Sequence, residues 1–392
     1  MRNTCLFLAA ASLLAGCAAG PRPENNEGAT WMRQQEPLEN GERCFANATR
    51  LPELPHADLA ASSAMLLGPG DRLRLRVIGD SDKLTGTYVV AIDGRIMFPG
   101  AGSVTVAGGT AERAESEITR LLVSRGLVRP LRRVASLSLV ESAGVSVAVS
   151  GAVFQPGQVR AGERSREDRI GQSEGEASGD ANVGRSVSAA LRAAGGVRPD
   201  ADISRIGLVR GGRLMVLDLR PGHDGTAAGN IMLASGDRIV VPSSGCFDAS
   251  LMRPSPVTTP GIRVFMSNLS RPANNNAGAA VGKDATSLPY GTRMLQGLVA
   301  MNCVGGSAMN ARRRAVLISR NPMNGRSVVI EREVEDLVRH ADRDDRDPYL
   351  MPGDALACYD SRMMNFADAV GLVSSAASAV TPALLVEEAI GQ

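Results

Sequence analysis

The chain has 392 residues, enough for several domains with a substantial core. Its 43 Lys and Arg against 41 Asp and Glu leave a net charge of +2, which gives no basis for a nucleic-acid partner. Aromatic residues make up only 3%, too few for the aromatic girdles of an outer-membrane β-barrel or a sugar site built on stacked rings.

The first residues read as a targeting segment. Arg2 is a minimal positive region, and the apolar run 6–14 is too short to span a bilayer. It closes on Leu14-Ala15-Gly16-Cys17, which resembles the bacterial lipobox: small residues at the cleavage site and a thiol to receive diacylglycerol. A signal peptide over residues 1–16 and a lipidated Cys17 are therefore expected, with Ala18 rather than Asp directing the chain to the outer membrane. Residues 17–64 are rich in Pro, Asn and Glu and read as a tether partly laid on the body.

Besides Cys5 and Cys17, four cysteines remain: Cys44, Cys246, Cys303 and Cys358. An even number in an exported chain points to disulfides, and three pairings are open. His56, His223 and His340 are far apart with no cysteine at zinc spacing, so no metal site is expected.

From Gly68-Pro69-Gly70-Asp71 the chain becomes periodic. Leu73, Leu75 and Val77 alternate with Arg72, Arg74 and Arg76, the pattern of a strand with one wet face. Asp93-Gly94 lies between the apolar runs 88–92 and 95–98, which predicts a hairpin. Pairing across it would put Val89, Ala91, Ile96 and Phe98 on one face, Tyr88, Val90 and Met97 on the other, both covered. Thr110 is placed to cap a helix whose inner face carries Ala114, Ile118, Leu121 and Leu122. A strand over 134–140 completes a compact α+β module spanning residues 65–142.

A second pattern follows over 143–248: an alternating strand from Val145, a polar tract over 161–185, and a short helix from Ser186 to Gly195-Gly196. Two strands joined by Gly211-Gly212 come next, then Gly236-Asp237 before a last strand. The same order recurs over 262–361. Gly236 and Gly353 are 117 positions apart, as are Ser150 and Ser267, a matched offset that marks two copies of one domain. If so, Cys303 and Cys358 fall at the helix end and last strand of one copy and are expected to be bonded. Residues 362–392 differ from both copies. Phe366, Val370, Val373 and Val380 lie on one helical stripe, with Asp368, Ser375 and Ser378 on the opposite seam and Pro382 as an interruption.

Catalytic patterns do not hold up. Gly171-Gln-Ser-Glu-Gly175 lacks the flanking strand and helix of a nucleophile elbow. The stretch Gly278 to Asp284 has the wrong spacing for a phosphate loop. The acids of residues 342–347 are interleaved with Arg343 and Arg346 and read as a solvated turn.

Taken in order, the Gly70-Asp71 turn, Asp93-Gly94-Arg95-Ile96, Phe98-Pro99 and Gly102 to Gly108 resemble the signature of bacterial outer-membrane polysaccharide export lipoproteins (Wza-like capsule translocons). Residues 147–156 with Gly151, Ala193-Ala194-Gly195-Gly196 and Ser235-Gly236-Asp237 resemble a soluble-ligand-binding (SLBB) β-grasp domain. The second copy departs from it, with Asn268 in place of Gly and Cys303-Val304-Gly305-Gly306 at the helix end. The resemblance implies an α+β export domain, two β-grasp-like SLBB repeats and a C-terminal amphipathic transmembrane helix. It further implies a non-enzymatic ring, typically of eight subunits, with most of its mass in the periplasm and no cofactor. Its C-terminal helices would form a barrel through which capsular polysaccharide or exopolysaccharide reaches the surface. An inner-membrane co-polymerase or ABC transporter would supply the polymer. The alternative is a lipid-anchored periplasmic polysaccharide-binding module without a pore.

Overall fold

The computed structural model describes residues 32, 44, 49–57, 64–80, 84–131, 134–163, 182, 184–225, 231–268, 285–304 and 313–359. The fold is α+β, and the chain divides into two units, residues 35–260 and residues 261–392 with 1–34.

In the larger unit, β1 (Arg72–Val77) is the centre of a three-stranded antiparallel sheet, between β2 (Gly86–Val89) and β5 (Ala135–Glu141). Leu73, Leu75 and Val77 are buried, as their alternation requires. Helix α1 (Ala111–Ser124) starts at Thr110, whose side chain accepts from the Arg113 N–H at 3.4 Å. Its buried residues, Ala114, Ile118 and Leu122, join the β1 leucines in one core, with Leu121 partly buried beside them.

The hairpin at Asp93-Gly94 forms differently from the expectation. The turn is present, with Gly94 at φ 79° and the Ala91 N–H on the Arg95 carbonyl at 2.8 Å. However, β3 (Arg95–Phe98) pairs with β4 (Gly102–Thr105), across Pro99-Gly100, and not with β2. The backbone groups of β2 and Val90 are already engaged by β1 and the Gly70-Asp71 turn, so the strand after the turn leaves for another partner. The faces change accordingly. Ile96, Phe98 and Val90 are buried, while Val89 and Met97 are 55% and 72% exposed.

The rest of this unit is a five-stranded sheet in the order β7-β6-β10-β8-β9, made of β6 (Val145–Gly151), β7 (Gly157–Ala161), β8 (Ile206–Arg210), β9 (Arg213–Leu217) and β10 (Arg238–Val241). β6 and β10 run parallel, and the other pairs are antiparallel. Helix α2 (Val187–Ala193), capped by Ser186, buries Val187, Ala190 and Leu191 against it, and α3 (Arg220–Asp224) follows β9. Gly151 ends β6 at φ 93°, so close to β10 that a Cβ there would lie 2.0 Å from the Val241 carbonyl oxygen. Only glycine fits.

The smaller unit holds a second five-stranded sheet: β11 (Gly261–Asn268), β12 (Thr286–Pro289), β13 (Arg314–Arg320), β14 (Ser327–Glu333) and β15 (Ala355–Tyr359). Its order, β12-β11-β15-β13-β14, is that of the first sheet strand for strand, and its single parallel pair, β11 with β15, occupies the same place. Helix α4 (Met294–Ala300) buries Met294 and Leu298, and α5 (Val334–Arg339) and the exposed one-turn α6 (Arg343–Arg346) precede β15.

Candidate functional site

Three Gly-Asp turns recur with one geometry: Gly70-Asp71 before β1, Gly236-Asp237 before β10 and Gly353-Asp354 before β15. The glycines sit at φ 89°, 86° and 86°. Each aspartate accepts, through Oδ2, from the N–H three residues earlier: Gly68 at 2.8 Å, Ala234 at 2.7 Å and Met351 at 2.8 Å. Each aspartate N–H returns a bond to the carbonyl of that same residue, at 3.2, 3.2 and 3.1 Å. A short carboxylate and a left-handed glycine close the turn from both sides.

All three carboxylates are buried, and the turns differ in what neutralises them. Asp71 meets Arg185, whose side chain is fully buried; Nη1 lies 3.2 and 3.3 Å from the two carboxylate oxygens. Arg185 also donates to the Leu233 carbonyl, the Ser142 hydroxyl and the Leu66 carbonyl at 2.7, 3.1 and 2.9 Å. The Ala143 N–H completes Asp71 at 2.8 Å. This ion pair fastens the export-like module to the first five-stranded domain, and its hydrogen bonds offset the large cost of removing two charges from water. Asp237 takes a bidentate clamp from Arg210, at 2.9 and 2.7 Å. Among the described residues, no basic side chain meets Asp354; burial pushes its carboxyl up to about 7, with the Met351 N–H and the Ser319 hydroxyl drawing it down less.

The module over 65–142 presents two outward surfaces. An open groove of about 740 Å³ runs between β4 and α1, lined among others by Ser103, Thr105, Arg113, Glu117, Arg120 and Leu121. Glu117 and Arg120 are paired at 2.6 Å, so the groove offers hydroxyls and an ion pair rather than an acid and base poised for catalysis. The outer face of β1 carries Arg72, Arg74 and Arg76, with Arg72 on Glu141 at 3.4 Å. Ile92 at the Asp93-Gly94 turn is 95% exposed, on the same module as Met97. Among the described residues, no group of three or more His, Cys, Asp or Glu is placed to hold a metal ion.

The residues singled out in the sequence fare unequally. Cys303 and Cys358 are bonded to one another, fully buried, with Cα atoms 6.2 Å apart. Cys44 is bonded to Cys246. Cys17, Phe366, Asp368, Val370, Val373, Ser375, Ser378 and Val380 lie outside the described residues, as do the stretches around Ser173 and Gly278. Among the described residues, no helix is long and apolar enough to cross a membrane. Arg313 is buried on the Cys303 carbonyl, and Arg314 pairs with Glu331 at 2.8 Å. Asp347, read as part of a solvated turn, is buried instead. It accepts from the Leu295 N–H at the start of α4, and burial raises its carboxyl above the usual range. Arg185 gave no signal in the sequence, because it sits at the edge of a polar tract with nothing periodic around it.

Residues 59–137 match the model of the family described as polysaccharide biosynthesis/export protein, and these are the residues that build the Gly70-Asp71 turn, the arginine-faced sheet and the groove. The match is to that one domain, residues 59–137 of the 392. It is also 30% identical over 210 residues to the EPS I polysaccharide export outer membrane protein EpsA of Ralstonia nicotianae, a stretch covering 50% of this chain and 47% of that protein. The chain thus spans about half the length of the curated relative it matches.

Proposed function

We propose that this protein is an outer-membrane lipoprotein channel that exports capsular polysaccharide or exopolysaccharide from the periplasm to the cell surface as a ring oligomer. The observation that carries the reading is the export-family domain over residues 59–137, supported by a relative named for polysaccharide export at the outer membrane. In this reading Cys17 carries the lipid anchor, and the two sheets of identical strand order are SLBB-like β-grasp repeats. The exposed Ile92 and Met97 of the export domain are then contacts between subunits, which water-exposed apolar side chains favour. Residues 362–392 cross the outer membrane as a ring of helices. Phe366, Val370, Val373 and Val380 face lipid, and Asp368, Ser375 and Ser378 face water or neighbouring helices.

The test is topological. A tag placed after Gln392 becomes accessible to a membrane-impermeant label on intact cells, and the detergent-extracted particle images as a closed ring around a cavity. Labelling only after the outer membrane is breached, from particles without a ring, would replace the channel with a lipid-anchored periplasmic polysaccharide-binding module.

A further inference from the structure

The two five-stranded domains are built on one plan with an offset of 117 residues that holds atom by atom around their Gly-Asp turns. The Ala148 N–H binds the Asp237 carbonyl and the Phe265 N–H binds the Asp354 carbonyl, at 3.3 and 2.8 Å. The ladders also correspond. Val209 pairs with Arg238, so the next residue, Arg210, faces Asp237; Ile318 pairs with Ala355, so the next residue, Ser319, faces Asp354. The seat of the arginine that neutralises the first aspartate is therefore held by a serine in the second domain. Ser319 Oγ is buried and close enough to favour the carboxylate, but it makes no regular hydrogen bond.

We propose that Asp354 is a proton-controlled latch of the second domain: protonated, it holds the turn over residues 351–354 against β11 and β13, and on losing its proton it loosens that turn and the start of β15. A neutral carboxyl satisfies a site that has one N–H donor and one hydroxyl beside it. A carboxylate there is 2% exposed and lacks the cation its counterpart possesses. The neighbouring elements supply none. On β11, Arg263 is exposed and only its carbonyl touches the turn, accepting from Gly353 at 2.9 Å. On β13, Arg320 is exposed and donates to the Gly325 carbonyl, and Arg314 pairs with Glu331 at the far end of the strand. Helix α4 carries no titratable side chain, and Cys303 and Cys358 are held in their disulfide. The other raised acid of this domain, Asp347, belongs to the start of α4.

In the closed turn the carboxyl keeps its proton up to about 7, whereas an opened aspartate loses it near ~3.9. The closed form therefore binds more protons. Its advantage is complete below the opened value and is lost as pH rises through about 7.

Hydrogen exchange of the full-length, disulfide-intact protein tests this, followed by mass spectrometry on peptides covering 261–268 and 347–356, with 145–150 and 231–240 as the internal control. After correction for intrinsic exchange, protection at Met351, Gly353 and Phe265 is expected to fall by up to about tenfold per pH unit between pH 5 and 7 and then level off. Protection of the amides of Ala234, Asp237 and Ala148 stays flat. Asp354→Asn removes the dependence while leaving that of Asp347 in place, and Ser319→Arg, which copies the first domain, flattens it as well. Parallel behaviour of the two turns in the wild-type protein, or an unchanged pH profile in Ser319→Arg, would overturn the latch even if Asp354→Asn failed to fold.

Discussion

The two five-stranded domains share a strand order and a turn and hold themselves together by different means. In the first, a bidentate arginine neutralises the turn aspartate, and the N-terminal segment is added alongside: the Leu214 N–H binds the Pro55 carbonyl and the Ala57 N–H binds the Leu214 carbonyl, each at 2.9 Å. In the second, an internal disulfide joins the helix end to the last strand, and among the described residues no base meets the turn aspartate. The backbone geometry of a Gly-Asp turn therefore does not depend on how its charge is compensated. What differs is the partner of the buried charge: Arg210 clamps the first aspartate, and Ser319 holds the corresponding seat beside the second.

The sharpest way to break this comparison is at the third turn, where compensation is most complete. Replacing Arg185 by Ala leaves Asp71 buried without its cation and is expected to destabilise the larger unit by about 3–5 kcal/mol, read from urea unfolding. The double variant with Asp71→Asn should recover part of that loss; no recovery would mean that the arginine acts through its carbonyl contacts instead. Cys303→Ser with Cys358→Ser removes a cross-link closing a separation of 55 residues and is expected to cost the second domain about 2–4 kcal/mol in non-reducing denaturation. The first domain should not respond. Gly151→Ala places a methyl against the Val241 carbonyl in a left-handed backbone, at a cost of about 2–3 kcal/mol by thermal unfolding. Converting the first turn into the second, by Arg210→Ser, should make exchange at Ala234 pH-dependent, with protection falling as pH rises. Smallest is Thr110→Ala, about 1 kcal/mol from the lost cap of α1.

Much of this architecture is legible from residue order because its signals are local. The alternation of leucine and arginine in β1, the Thr110 and Ser186 caps and the glycines of the turns all act over a few residues. Strand partnership is decided elsewhere. Asp93-Gly94 announces a turn faithfully, but whether the strand beyond it returns depends on who already holds the hydrogen bonds of the strand before it, and β1 does. Strands β7 and β12 carry no clear periodic signal because each is a short edge strand, partly exposed, beside a polar tract that follows β7 and precedes β12. The contrast between the aspartates is also written in the sequence, since Arg210 and Ser319 are plain to see, but only the ladder reveals that they occupy one seat. Of the residues proposed for lipid anchoring and membrane crossing, Cys17 and the set from Phe366 to Val380 lie outside what the structure describes.

The Cys44–Cys246 disulfide has a mechanical consequence. It joins points 202 residues apart in the chain, at the two ends of the segment that holds the export domain and nearly all of the first five-stranded domain. Tension applied along the chain from its N-terminal side reaches Cys44, crosses the sulfurs and continues from Cys246. The polypeptide between them hangs as a side loop off the line of force. It can be turned or displaced as a body, but it cannot be unravelled by a pull on its ends while that bond is intact.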